Sequence, residues 1–434
     1  MSKTLKSAAL QSVAIWIAPQ IARAARRAVR ALAPSRAPLS PIHRKRQLLV
    51  DVSIIAAHDA GTGIQRVVRS LLIQLLQSPP DGFIVRPICA TRKSSYRYTD
   101  SFLSEQASMP NHCPLDTANN PAITTVRVEP GDIFVGLDLT SRIIPRRQRD
   151  LLSWKRQGVQ CAFVVYDLLP FQHPYWFTPR ARRSFKHWLS TLAVHADALW
   201  CISRTVARDT RELMQRRFGL TADDTTICSF DLGTNALDRL SAPPSFTPVS
   251  SCRRHKRPML LMVGTIEPRK GHMQVLNAFD ALWRNGTEVD LVIVGAPGWH
   301  VELVVNQLTQ HPQNEQRLFW LRDADDAQLE ALYARADGLV MASEAEGFGL
   351  PIIEAARHGK PLFLRDLDVF REVAREHATY FRATTGEELA LQLSNWLAQL
   401  AAGTAPTSEA IKPVTWATSA AQLKALIATL ACAA

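Results

Sequence analysis

Glu346 and Glu354 stand eight positions apart in the stretch SEAEGFGLPIIEAARHGKP, residues 343–361. Between them lie Gly347, Phe348, Gly349, Leu350 and Pro351. Leu339, Val340 and Met341 read as the end of a strand. Pro351 suits the first turn of a helix, where its missing N–H costs nothing. Glycines at 347 and 349 let the backbone come close to a ligand. The N–H groups at the helix start, together with the helix dipole, favour phosphate. One carboxylate in the loop and another one turn into the helix can face a single ligand, and carboxylates accept strongly from hydroxyls. Hydroxyls on both sides of a diphosphate describe a nucleotide sugar. Two other readings fit the spacing: a helix cap plus a surface carboxylate, and the acid and nucleophile of a glycosidase. A phosphate-binding helix start between the carboxylates does not suit the second.

A diphosphate calls for fixed cations. The segment VGTIEPRKG (263–271) supplies Arg269 and Lys270 in a loop at a strand's carboxyl end. The competing reading is two solvated loop cations. GTGIQR (61–66) is a poor dinucleotide fingerprint, because Arg66 stands where the third glycine belongs. DADD (323–326) precedes a helix and reads as its cap. Neither a metal nor a cofactor is expected.

The elements that must position these groups form two series. QLLVDVSIIAAHDAGTGIQRVVRSLLIQLLQ (47–77) reads as strand, glycine turn and helix. GDIFVGLDL (131–139) and QCAFVVYDLLP (160–170) are short apolar runs ended by Asp or Pro, as in buried parallel strands. DALWCISRTVARDTRELMQRRFG (197–219) is a strand and a helix, with Ser203 as N-cap and Gly219 as C-cap. The second series starts at PMLLMVGTIEPRKG (258–271) and runs through VDLVIVGAPGW (289–299), RLFWLRDADDAQLEALYARAD (317–337) and GLVMASEAEGFGLPIIEAARHG (338–359) to KPLFLRD (360–366). TSAAQLKALIATL (418–430) is an amphipathic helix. The expected architecture is α/β, with two Rossmann-like doubly wound domains facing across a cleft and ligands beyond the carboxyl ends of the strands. The boundaries read as a basic arm over 1–46, a first domain over 47–245 and a Pro/Ser-rich, then basic linker over 246–257. A second domain over 258–412 and a C-terminal helix over 413–434, reaching back to the first, complete the chain.

The 434 residues carry a formal charge of +12, of which +10 lies in residues 1–50, which hold no Asp or Glu. The body is nearly neutral, which argues against nucleic acid. A basic arm on a neutral body points to an anionic membrane surface. Leu10, Val13, Ala14, Ile17, Ile21, Ala25, Ala28 and Leu32 make a helical stripe, with Arg23, Arg26, Arg27 and Arg30 beside it. That pattern predicts a helix lying in a membrane interface. A signal peptide and a disordered arm compete with this reading; the arginines and the cysteine usage argue against a signal peptide. Nothing is apolar for long enough to span a bilayer. Seven scattered cysteines without a Cys-x-x-Cys pair read as reduced, small hydrophobes of a cytosolic protein.

EGFGLPIIE, VGTIEPRKG, LVIVGAPGW and the run LEALYARADGLVMASEAEGFGLPIIEAARHGKP resemble the C-terminal half of family 4 retaining glycosyltransferases of the GT-B fold. The resemblance is specific over about 258–380 and weaker over 48–240, through GTGIQRVVRSLL, VVYDLLP and CISRTVARD. In combination these segments resemble bacterial mannosyl- and rhamnosyltransferases of O-antigen and capsule assembly. The resemblance implies that Glu346 holds donor-sugar hydroxyls near the reacting carbon and that Glu354 holds the ribose. Phe348, Gly349 and Leu350 would offer backbone contacts, and Lys270 would pair with the diphosphate. Many members carry Arg directly after the residue matching Gly264; here Thr265 stands there, and Arg269 would supply the charge. Gly61 and Gly63 would form a glycine loop near the diphosphate and acceptor. Asp167 is the candidate for contacting sugar or acceptor where many members have a His. His173 is either structural or a further donor contact, and Tyr166 is open in the same way.

The implied reaction moves a hexose from a nucleotide-diphosphate sugar with retention, without a metal, with GDP-mannose the preferred donor and GDP-rhamnose next. The implied acceptor is an oligosaccharide on a polyprenyl diphosphate at the inner face of the plasma membrane, which the protein would meet from the cytoplasm as a peripheral protein. The alternatives are a non-catalytic nucleotide-sugar-binding scaffold of an assembly complex and a nucleotide-sugar epimerase. No motif for the epimerase's base is visible.

Overall fold

A computed structural model describes residues 16, 19–32, 45–99, 102, 125–234 and 257–432. The chain divides into two compact units: Met1–Gly233 with Trp416–Ala434, and Thr234–Thr415. The proposed linker over 246–257 lies outside the described residues except for its last position.

Unit 1 is built on seven strands: β1 Arg46–Asp51, β2 Phe83–Cys89, β3 Arg97–Tyr98, β4 Ile133–Gly136, β5 Gln160–Val165, β6 Ala198–Cys201 and β7 Thr226–Ser229. Their order is β3-β2-β1-β4-β5-β6-β7. Every pairing is parallel except β2 with the short β3. The strands are apolar on both faces because helices cover both. Phe134, Phe163, Trp188, Leu189 and Leu192 are all buried in one contiguous cluster on one side.

Unit 2 has six strands: β8 Met259–Val263, β9 Asp290–Val294, β10 Leu318–Leu321, β11 Gly338–Met341, β12 Leu362–Arg365 and β13 Thr379–Phe381. Their order is β10-β9-β8-β11-β12-β13, all parallel. Winding therefore reverses between β8 and β11, and that switch point is where a doubly wound sheet opens a crevice at its carboxyl edge. Two apolar clusters, one on each side of this sheet, hold the helices in place.

Local signals account for the helix boundaries. Thr62 caps the helix Gly63–Gln77 in a reciprocal capping box with Gln65. Ser203 caps Arg204–Phe218, which ends on the left-handed Gly219. Asp325 caps Asp326–Arg335, so that the acidic run there serves the helix start. The helix Trp416–Cys432 belongs to unit 1 and packs on Gly63–Gln77.

The basic arm contains a helix, Pro19–Ala31, and one face of it is docked on the fold. Ala22, Arg26 and Val29 are buried, and Arg26 donates to the carbonyls of Ala193 at 3.2 Å, of Ala196 at 2.6 Å and of Asp224. This burial corrects part of the stripe reading: the docked face is centred on an arginine, one that the stripe counted with the solvent side. Ile21 and Leu32 of the stripe remain exposed at 42% and 43%. Leu10, Val13, Ala14 and Ile17 lie outside the described residues. Among the described residues, no helix is long and apolar enough to cross a membrane.

Candidate active site

The loops that follow β8 and β11 meet at the switch point of unit 2. The backbone N–H of Glu344 donates to the carbonyl of Arg269 at 2.7 Å, which ties the two loops together. Gly271, at φ 76°, sits where a Cβ would lie 2.4 Å from the carbonyl oxygen of Ala342. This contact brings Arg269 and Lys270, 77 and 76 positions away in sequence, onto one carboxylate. Lys270 Nζ donates to Glu346 Oε1 at 2.5 Å and Arg269 Nη1 to Oε2 at 2.8 Å. Ser343 Oγ donates to Oε1 at 2.8 Å. Arg269 Nη1 also reaches the carbonyl of Ala345 at 3.1 Å, and its Nε lies 2.8 Å from Glu267 Oε2.

The electrostatics follow from burial. Desolvation pushes the Glu346 carboxyl up, but the charges of Arg269 and Lys270 and the hydrogen bonds from Lys270 and Ser343 outweigh it and hold the pKa down at about 2. Glu267 is 8% exposed. There desolvation wins, and its pKa is raised despite Arg269 and Lys270. His272, buried at the start of the next helix, is pushed down to about 3 by burial and then by Lys270, so it stays neutral. The cluster holds two cations and two carboxylates at an edge shaped by glycine.

The other expected residues of this unit fall around the cluster. Gly349, at φ 107°, is the N-cap of the helix Leu350–Arg357, and Pro351 occupies its first turn. Phe348 is buried and Leu350 half-buried. Glu354 lies one turn into that helix, buried, and accepts from the Tyr333 hydroxyl at 2.7 Å. Gly264, at φ 145°, lies under Lys270, whose Nζ would be 3.5 Å from a Cβ there. Thr265 follows it, beside the turn at Gly298. Gly347 belongs to the loop between the two glutamates. Ser343, Glu267 and Tyr333 escaped the sequence reading. Glu267 was visible in the quoted loop, but nothing in its spacing distinguishes it from a surface carboxylate.

Asp167, Gly63 and His173 belong to unit 1 and are placed at the carboxyl edge of its sheet or just beyond. Asp167 follows β5 and accepts from the Leu169 N–H at 3.0 Å. Gly63 opens the helix after β1. His173 stacks on Trp176 at 4.3 Å between ring centroids, with Nδ1 3.0 Å from the Tyr175 hydroxyl. Tyr166 is buried and donates to the Leu137 carbonyl at 2.7 Å, a packing role.

The same edge holds a carboxylate network that sequence reasoning missed. Asp51, at the end of β1 and fully buried, accepts from Ser53 N at 3.0 Å, Ser53 Oγ at 2.5 Å, Tyr96 OH at 2.8 Å and Thr140 Oγ1 at 3.2 Å. Burial raises its pKa to about 6 against these hydrogen bonds. Asp138 Oδ2, after β4, accepts from the N–H groups of Ile54 and Ile55, both at 2.8 Å. Together they fasten the segment that leads to Gly61 and Gly63 onto the switch point between β1 and β4. An Asp at the end of an apolar run is the one available signal, and it does not say which partners the carboxylate takes.

Comparison with known proteins gives the same picture. Residues 248–402 match the family described as glycosyl transferases group 1. Over 382 residues, 86% of this chain, the sequence is 40% identical to the serotype-specific mannosyltransferase WbdA of Escherichia coli. The chain covers 44% of that relative, so it spans less than half of that protein's length. The O-antigen chain mannosyltransferase B of Escherichia coli is 35% identical over 26% of this chain and 30% of its own length. A glycosyltransferase structure from Rickettsia africae superposes with a TM-score of 0.58 at 15% identity, covering 89% of this chain and 98% of its own. Anabaena HepE in complex with UDP and glucose superposes at 0.55 and 16% identity, with the same coverage. The two Rossmann-like units thus have the GT-B fold, and the chain, through residues 248–402, carries a domain of the group 1 glycosyl transferases.

Proposed function

We propose that this protein transfers a hexose, mannose by preference, from a nucleotide-diphosphate sugar to a cell-surface polysaccharide of O-antigen type, with retention at the anomeric carbon. The observation that carries this reading is Glu346, with 9% of its side chain exposed, ionised at the switch point with Lys270 and Arg269 on its two oxygens. The mannosyltransferase names of the relatives support the choice of sugar and of GDP-mannose as donor.

The reaction breaks the bond between the anomeric carbon and the diphosphate oxygen and forms a bond from the acceptor oxygen to the same face. The departing diphosphate takes the acceptor proton, so no protein base is needed. Lys270 and Arg269 are charge-assisted donors for the leaving oxygens, and preorganised cations of this kind lower the barrier most where charge develops. Glu346 accepts from sugar hydroxyls and Glu354 from the ribose, with the helix start at Gly349 between them for phosphate. In unit 1, Asp167 contacts sugar or acceptor. The transfer proceeds without a metal.

The acceptor is an oligosaccharide on a polyprenyl diphosphate, met at an anionic membrane surface from the cytoplasmic side. Ile21 on the docked helix and Leu32 just past its end, exposed with Arg23 and Arg27, support a peripheral contact of apolar and cationic character. Sedimentation with anionic vesicles tests it: replacing Arg23 and Arg27 by Gln should release the protein, and unchanged binding would reject the contact.

The deciding experiment is a donor screen. Purified protein is incubated with each common nucleotide sugar, with and without a lipid-linked acceptor extract, and free nucleoside diphosphate is measured. Release from GDP-mannose should fall by about a hundredfold or more in Glu346→Ala and persist in EDTA. The configuration of the product, read by NMR, decides retention. Saturable nucleotide binding with no release from any donor would move the assignment to a scaffold.

A further inference from the structure

Arg269 is held from two sides by carboxylates, and one of them has no part in the proposed chemistry. Glu267 is extended (φ −139°, ψ 153°) and Pro268 then turns the chain, so residues 267 and 269 project together. Glu267 Oε2 lies 2.8 Å from Arg269 Nε, with both side chains largely buried at 8% and 14% exposure. The turn after β9 walls this pair in: the N–H of Gly298 donates to the carbonyl of Ile266 at 2.9 Å, and a Cβ on Gly298 would lie 3.1 Å from Glu267 Cγ. Other charged or titratable groups close to Glu267 are Lys270, Glu346 and the neutral His272.

An unrestrained arginine samples many rotamers, and holding it in one geometry costs side-chain entropy. A carboxylate on Nε removes that freedom and leaves the Nη1 edge aimed at the loop of Glu346. We propose that Glu267 is a positioning residue, which sets the Arg269 guanidinium in the orientation that serves the donor diphosphate. The proposal rests on the transferase reading above. Glu267 touches neither the sugar nor the phosphates and acts through Arg269 alone.

A double-mutant cycle separates this role from a general structural one. Affinity for GDP-mannose is measured by calorimetry for wild type, Glu267→Ala, Arg269→Ala and the double variant, with thermal unfolding recorded for each. Each single variant should weaken binding by about tenfold, and the double variant should bind no worse than Arg269→Ala. Glu267→Gln, which keeps the side chain's length and an oxygen beside Nε, should keep most of the affinity. Should Glu267→Ala fail to fold, Glu267→Asp, shorter by one methylene, takes its place in the cycle. A Glu267 effect that persists in full without Arg269, or no effect of Glu267→Ala at all, overturns the proposal. Wild type that does not bind GDP-mannose, or binds it equally after Lys270→Ala, instead removes the transferase reading and this inference with it.

Discussion

A carboxylate buried with two cations on its oxygens cannot be removed without leaving charge behind. Glu346 illustrates the consequence, since its replacement takes the carboxylate from Lys270 and leaves Arg269 with Glu267 alone. Glu346→Gln should therefore cost about 3 kcal/mol at neutral pH, as expected when one side of a buried pair is lost. The sign of the pH dependence follows from the lowered pKa of about 2. Ionised Glu346 stabilises the fold fully above the unfolded carboxyl's ordinary range, and that contribution is lost as pH falls toward 2. The stability gap between wild type and Glu346→Gln, measured by denaturant unfolding across pH 2–6, should shrink as pH drops; a constant gap would show that the ion pairs are not what holds the loop. The glutamate pair, the two cations and the glycines were legible because each stands in a loop between an apolar run and a helix start, where such residue types are out of place as packing. Ser343, Glu267 and Tyr333 were not, because a side chain that partners a site residue obeys no spacing rule of its own. Asp51 and Asp138 were hidden for the same reason, each with partners about 40 to 90 positions away.

Among the elements, the loops matter more than the strands they leave. Apolar runs ended by Asp, Pro or Gly marked most strands, since strands of a covered parallel sheet are hydrophobic on both faces. The two-residue β3 and the three-residue β13 are too short for such a pattern and went unread, as did β2, interrupted by Arg86 and Pro87, and the half-exposed β7. The close approach at Gly271 was equally invisible, because a glycine's neighbour belongs to another part of the chain. Gly271→Ala should cost roughly 2 kcal/mol from its positive φ and more from the clash with the Ala342 carbonyl. Separation of the two loops should weaken binding of the proposed donor as well as stability. Loss of stability without loss of affinity, measured on the folded fraction, would mean that Lys270 and Glu346 do not depend on this contact. The helix Pro19–Ala31 shows the limit of amphipathic patterning: its stripe was visible, but Arg26 is buried because three backbone carbonyls receive it. A periodicity of residue types records which face is apolar and not which carbonyls await a donor.

Over the whole molecule, the α/β alternation made the doubly wound architecture readable, and each unit repeats one device. A carboxylate at the end of a central strand or in the next loop ties two chain segments across the switch point, Asp51 and Asp138 in unit 1 and Glu346 in unit 2. The crossing of the chain back into unit 1 through Trp416–Cys432 means that its last helix supports the first sheet and not the second. Leu423 and Ile427 are fully buried there, and the helix packs on Gly63–Gln77, which begins at the glycine loop. Leu423→Ala removes a buried side chain whose space cannot fully collapse, at a cost of about 2–5 kcal/mol. The loss should fall on unit 1. Limited proteolysis with peptide mapping should show new cuts within 46–233, while segments of 257–415 stay protected. Equal loosening of both units would mean that they unfold as one cooperative body. Cuts confined to 257–415 would contradict the assignment of this helix to unit 1.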